Sequence, residues 1–179
     1  FRMRNAPTIS PTTFRFATDW IAPPVRSPVA NLLADLGRAF ETLGFSWYLF
    51  GAQAAIVYGV ARLTADVDVT VRAPSTATGE WLAVLEQYGF ERRFADPAFI
   101  KQTRVLPVAH LATGLPVDIV LAGPGLEDEF LNRAVMQSID GVAVPVVELA
   151  DLVVLKVLAQ PAQRHRGRGQ LATLARQVD

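Results

Sequence analysis

Apolar residues recur along this chain with two alternating periods, one near 3.6 and one of 2, and so mark out helices and strands in turn. Leu32, Leu33, Leu36, Phe40 and Leu43 fall at helical spacing between Ser27-Pro28, a helix start, and Gly44, a helix stop. Phe45 to Phe50 reads as a short buried strand delivering Gly51, which turns into a short apolar helix from Ala52 to about Tyr58. Next, Val67, Val69 and Val71 alternate with Asp66, Asp68, Thr70 and Arg72, the pattern of a strand with one apolar face. Trp81, Leu82, Val84, Leu85 and Tyr88 predict a second amphipathic helix ending at Gly89, and Phe90 to Phe94 an edge strand. Val105 to Leu121 is two apolar runs around Thr113-Gly114, a hairpin that would set Ala109 opposite Asp118 and turn His110 to the other face. Glu127, Asp128 and Glu129 open a helix reaching Ala134, with acids where the helix dipole favours them. Ile139-Asp140-Gly141-Val142 is a tight hairpin turn, and Glu148 to Gln160 a helix with Leu149, Leu152, Val153, Leu155 and Leu158 on its apolar side. The alternation predicts an α/β or α+β fold, a sheet with helices packed on one side of it.

Three segments follow from this pattern. Residues 1–26, with Pro7, Pro11, Pro23 and Pro24, are expected to be an irregular arm in which Met3 is the natural start. Residues 27–160 form one domain, and 161–179 a tail that breaks in composition. In that tail the run Gln163-Arg164-His165-Arg166-Gly167-Arg168 is basic, and read one base later its codons can spell Ser-Asp-Ile-Glu-Asp, so the tail is expected to be disordered or altered by a frame slip.

Composition narrows the chemistry. The 179 residues are 51% hydrophobic and 19% charged, ordinary for a globular protein, and their net charge of zero excludes a global field for nucleic acid, leaving only a local patch. Without cysteine there is no disulfide framework, thiolate zinc site or cysteine nucleophile. The richest apolar window, Val142 to Leu158, is broken by Pro145, Glu148, Asp151 and Lys156, so no membrane partner is expected and the cytoplasm is the default compartment. Lysine is scarce, at Lys101 and Lys156 alone, which draws attention to each.

The acids carry the candidate chemistry. Asp66 and Asp68, two apart on a strand, point the same way, and like charges so placed repel unless a cation lies between them. Oxygen ligands of this kind suit Mg²⁺, although the strand alone leaves a solvated polar face equally open. Asp118 is a third carboxylate, flanked by Val117 and Ile119 in an apolar strand, where an unpaired charge is costly. The helix start after Gly51-Ala52 offers free N–H groups and a positive dipole end to phosphate oxygens. Arg62, just before the acid pair, reads as a phosphate contact or a loop charge, and His110 as a structural histidine.

Together these residues resemble the DNA polymerase β type nucleotidyltransferase superfamily, whose signature is Gly-Gly or Gly-Ser, a spacer, Asp-x-Asp or Asp-x-Glu, and a distant third acid. Gly51-Ala52, thirteen intervening residues, Asp66-Val67-Asp68 and Asp118 stand in those places. With Gly59, Arg62 and Thr64 ahead of the acid pair, the run from Phe50 to Val69 looks like the AbiEii-type nucleotidyltransferase toxins of bacterial toxin-antitoxin systems. The resemblance covers residues 28–160. It implies a polymerase β-like core, a mixed sheet with helices packed on it, and Mg²⁺-dependent transfer of NMP from an NTP to a hydroxyl. Asp66, Asp68 and Asp118 would be the catalytic acids and metal ligands. Gly51, Ala52, Arg62, Thr64 and Lys156 would hold the nucleotide, with a tRNA or other RNA end, or a protein, as acceptor and a cognate antitoxin as partner. A small-molecule nucleotidyltransferase and a degenerate nucleotide-binding or antitoxin-like module are the alternatives. Ala52 departs from the signature by offering no hydroxyl.

Overall fold

In the computed structural model residues 26–74, 78–94 and 96–159 are described, so the arm before Arg26, the tail and its proposed frame slip lie outside them. Helix α1 (Pro28–Leu43) starts where Ser27 accepts a hydrogen bond from the Ala30 N–H and ends at Gly44 in the left-handed region, φ 66°. Its buried stripe of Leu32, Leu33, Leu36 and Phe40 is the face expected from its spacing.

Seven strands make one mixed sheet: β1 (Ser46–Phe50), β2 (Val67–Arg72), β3 (Phe90–Arg92), β4 (Val105–His110), β5 (Pro116–Leu121), β6 (Val135–Ile139) and β7 (Val142–Val146). Their order across the sheet is β3-β4-β5-β2-β1-β7-β6. The centre is β1 antiparallel to β2, with β2 parallel to β5 and β1 parallel to β7. Between β1 and β2 runs α2 (Gly51–Val57); α3 (Thr78–Gln87), α4 (Pro97–Thr103), α5 (Leu126–Arg133) and α6 (Leu149–Ala159) complete the order.

Helices cover both faces of the sheet, not one. Trp47 packs on Phe40 of α1, whereas Arg72, paired with Ser46 and so on the opposite face from Trp47, reaches Asp128 of α5 at 2.8 Å. Val67, Val69 and Val71 fill the α1 side and are fully buried. The strand alternation that hides these valines turns Asp68, Thr70 and Arg72 toward the α5 side.

Two expectations shift by small steps. Asp66 lies in the connection before β2 instead of within the strand, so only Asp68 of the pair is fixed by the sheet. The β4–β5 turn is longer than Thr113-Gly114, and Pro107, not Ala109, faces Asp118. A slip of two residues keeps every side chain on its face, so His110 still points away from Asp118. Helix α4 had no apolar periodicity to announce it; Asp96, accepting from the Ala98 N–H, and Pro97 at its first turn are its signals. On α6 only Asp151 and Leu152 are buried, while Leu149, Val153, Val157 and Leu158 face outward.

Candidate active site

Gly51 follows β1 and begins α2 at φ 70°, a conformation that disfavours any side chain. A second constraint is spatial: a Cβ there would stand 2.0 Å from Asp68 Oδ2. The turn therefore needs glycine so that the Asp68 carboxylate can rest on the backbone where α2 starts. Phe50, paired with Asp68 across β1 and β2, fixes that approach. The far end of α2 is tied down by the Tyr58 hydroxyl, which donates to the Val147 carbonyl at 2.8 Å.

Asp118 faces Asp68 directly across the parallel β2–β5 pair. Neighbouring strands run about 4.8 Å apart, so the two carboxylates leave one face of the sheet side by side. Asp66 is exposed, its backbone N–H donating to the Thr64 hydroxyl at 3.3 Å in a local turn that sets the last step into β2. Burial first, and then the negative charges of Asp118 and Asp66, push the Asp68 carboxyl above the usual carboxylate range; the Ala52 N–H and the Lys156 ammonium oppose the rise.

A cavity of about 370 Å³ opens here. Gly51, Ala52, Arg62, Thr64, Asp66 and Asp68 line one side, and Leu152, Leu155 and Lys156 of α6 the other. Seven of the eight residues singled out in the sequence thus share one cavity, and the eighth, Asp118, stands beside Asp68. Three larger cavities are present, one beside α1 and His110, one between α3 and α4 and one between α5 and α6, and none contains an acid of this group. The chemistry of the lining, not the size, singles out the smaller one.

Among the described residues no three His, Asp or Glu side chains draw together closely enough to hold a metal ion. Asp118 Oδ1 lies 3.5 Å from Arg93 Nη1, a partner that the sequence did not suggest. The donor set nonetheless suits a hard dication. Every candidate ligand is a carboxylate oxygen, and the like-charge crowding that shifts Asp68 is the strain such an ion would relieve.

A second unforeseen pair positions α6. Arg133 donates from Nε and Nη2 to the two oxygens of the buried Asp151, at 3.0 and 2.8 Å. This fork fastens α6 to the end of α5 and so fixes the helix that carries Lys156 to the cavity. An aspartate in the first turn of an apolar helix was the sequence signal available for it.

No family model and no curated protein matches the chain. Among solved structures it is similar to an antigenic nucleotidyltransferase-like protein from Paracoccidioides brasiliensis, at 17% identity and TM-score 0.53 over 83% of this chain and 72% of that one. It is also similar to ANT(2'')-Ia in complex with adenylyl-2''-tobramycin, at 16% identity and TM-score 0.50 over 74% of this chain and 76% of that one. At these identities the likeness concerns the fold, which is the polymerase β-like nucleotidyltransferase core.

Proposed function

We propose that the protein is a nucleotidyltransferase that moves NMP from an NTP to an acceptor hydroxyl, with Mg²⁺ held by Asp66, Asp68 and Asp118. The observation that carries this reading is the placement of Asp68 in register with Asp118 and hard against the Gly51 turn, at the wall of a cavity that also holds Arg62, Thr64 and Lys156. A carboxylate pair, a glycine turn and separate cations around one cavity are what a triphosphate needs.

In this reading Lys156 and Arg62 neutralise the phosphates, Thr64 and the Ala52 N–H orient them, and the Gly51 turn lets them approach the backbone. Bound Mg²⁺ would supply charge compensation for the triphosphate and acidify the attacking hydroxyl. The acceptor oxygen forms a bond to the α-phosphorus as the bond to the bridging oxygen of pyrophosphate breaks. Pyrophosphate leaves with that electron pair, and Asp118 receives the hydroxyl proton. The acceptor is an RNA end, tRNA in particular, or a protein hydroxyl. The AbiEii-type resemblance of residues 50–69 supports the role of a toxin held in check by a cognate antitoxin. A small-molecule acceptor is the second reading, favoured by the shared core of ANT(2'')-Ia, whose structure contains an adenylylated tobramycin.

The test is incubation with each labelled NTP, Mg²⁺ and total RNA, in parallel with Asp68→Asn. Label is expected in RNA or in protein and absent with the variant. Label carried by tobramycin, added in a separate arm, would favour the second reading. No transfer from any nucleotide to any acceptor would leave only a degenerate binding module.

A further inference from the structure

Arg93 follows the edge strand β3, and its backbone N–H donates to the Pro107 carbonyl at 3.0 Å. Pro107 is the residue paired with Asp118, so this bond anchors Arg93 one strand away from the acid. Its guanidinium extends to Asp118 at 3.5 Å and also lies over the Phe94 ring, 5.8 Å from its centroid. The two partners are 40% and 42% exposed, so water screens the pair and the contact is weak enough to exchange. Among the described residues Asp118 is thus the one acid of the three with a guanidinium of its own, while Asp68 retains the crowding that a cation would relieve.

We propose that Arg93 is a built-in counter-ion for Asp118, which it occupies in the metal-free protein and must release when a divalent cation is taken up. This rests on the nucleotidyltransferase reading of the site. It accounts for the failure of three carboxylates to converge here even though Asp68 and Asp118 are in register. The chain's own cation holds one of them aside. A monovalent guanidinium at the rim loses to a dication shared among three carboxylates, but it subtracts its own affinity for Asp118 from that of the ion. Arg93 is therefore a positioning residue: it sets the ion concentration at which the site loads.

The experiment is titration of Mn²⁺ alone into the full chain at low ionic strength, followed by calorimetry, for wild type, R93Q, R93K, D118N and the R93Q/D118N pair. R93Q should bind the ion about two- to fivefold more tightly, the worth of an exposed ion pair, and added salt should shrink that gain. R93K should fall between R93Q and wild type. D118N should bind more weakly, and R93Q should then add nothing, because the contact it breaks is already gone. In wild type the Arg93 side-chain resonance should move as Mn²⁺ is replaced by diamagnetic Mg²⁺ in an NMR titration, and stay still in D118N. An affinity that R93Q leaves unchanged or lowers, with D118N still weakened, overturns the role of Arg93 and leaves the metal reading standing. Absence of ion uptake by every form overturns both.

Discussion

The molecule contains two polar clusters built from similar parts, one on each face of the same sheet, and they are balanced in opposite ways. On the α1 side His110 is 1% exposed, and its needs are met in full. With Nε2–H donating to Asp35 at 3.1 Å, Nδ1 accepts from the Thr113 hydroxyl at 3.0 Å, and that hydroxyl accepts from the Leu115 N–H. Asp35 is further paired with Arg38. On the other face Asp68 faces the negative charges of Asp118 and Asp66, and its carboxyl is pushed up by burial first and then by these neighbours. A closed network stabilises a fold, whereas an unbalanced one waits for a ligand.

The largest expected effects come from exchanging the two clusters' roles. Asp68→Asn should lower nucleotide transfer about a hundred- to a thousandfold, the range for loss of a placed electrostatic partner, while removing repulsion worth up to about 1 kcal/mol. Its melting temperature should hold or rise. His110→Ala should do the reverse, costing about 2–3 kcal/mol because Asp35 and Thr113 lose a buried partner, with transfer per folded molecule intact. Thermal melts and turnover measured on both proteins check this. A destabilised Asp68→Asn with unimpaired turnover would make the acids the structural cluster.

Gly51→Ala should come next. Its Cβ would lie 2.0 Å from Asp68 Oδ2, and a left-handed conformation costs a non-glycine residue about 1–2 kcal/mol. Asp68 must swing away, so transfer should fall toward the level of Asp68→Asn, but here with a lower melting temperature. The combination separates the glycine's task of making room from any direct role of the carboxylate.

A smaller effect is set by pH. The raised Asp68 carboxyl means that the metal-free native state binds more protons than the unfolded chain between the ordinary carboxylate value and the raised one. Stability should therefore fall as pH rises through that window and level off above it. Asp68→Asn should remove that part of the slope. Mg²⁺ should reduce it too if the acids bind the ion. A slope unchanged in the variant would assign the titration to another group.

Much of this was legible in the sequence because period and caps leave direct marks. Ser27, Pro28 and Gly44 bound α1 as read, and Val67, Val69 and Val71 set the face of β2 and so the direction of Asp68. What escaped were relations between segments far apart in the chain. Arg93 meets Asp118, and Arg133 meets Asp151, only because the sheet and α5 bring them there, and neither arginine stands in a pattern of its own. Strand patterns do not say that β2 and β5 are neighbours, and the facing of Asp68 and Asp118 is set by their register. Asp66 lies outside β2 although the alternation includes it, because alternation continues past the last ladder hydrogen bond and does not mark where pairing stops.

Ala52 supplies the mildest test and bears on how the site holds its nucleotide. Its side chain is nearly buried, 9% exposed, and it lines the cavity beside Asp68, where the superfamily signature carries glycine or serine. If phosphate is held here by backbone N–H groups and by Arg62 and Lys156, a hydroxyl adds one hydrogen bond, worth about 0.5–1.5 kcal/mol and so at most about tenfold. Ala52→Ser should then leave turnover unchanged or raise it within that limit, chiefly through a lower KM for the NTP, since the bond forms in ground and transition states alike. The melting temperature should change little, because serine adds one atom at a cavity wall. Measuring kcat and KM separately decides the matter. A large loss of kcat would mean that the ligand comes closer to this turn than a hydroxyl allows, and that Ala52 departs from the signature because the space is needed.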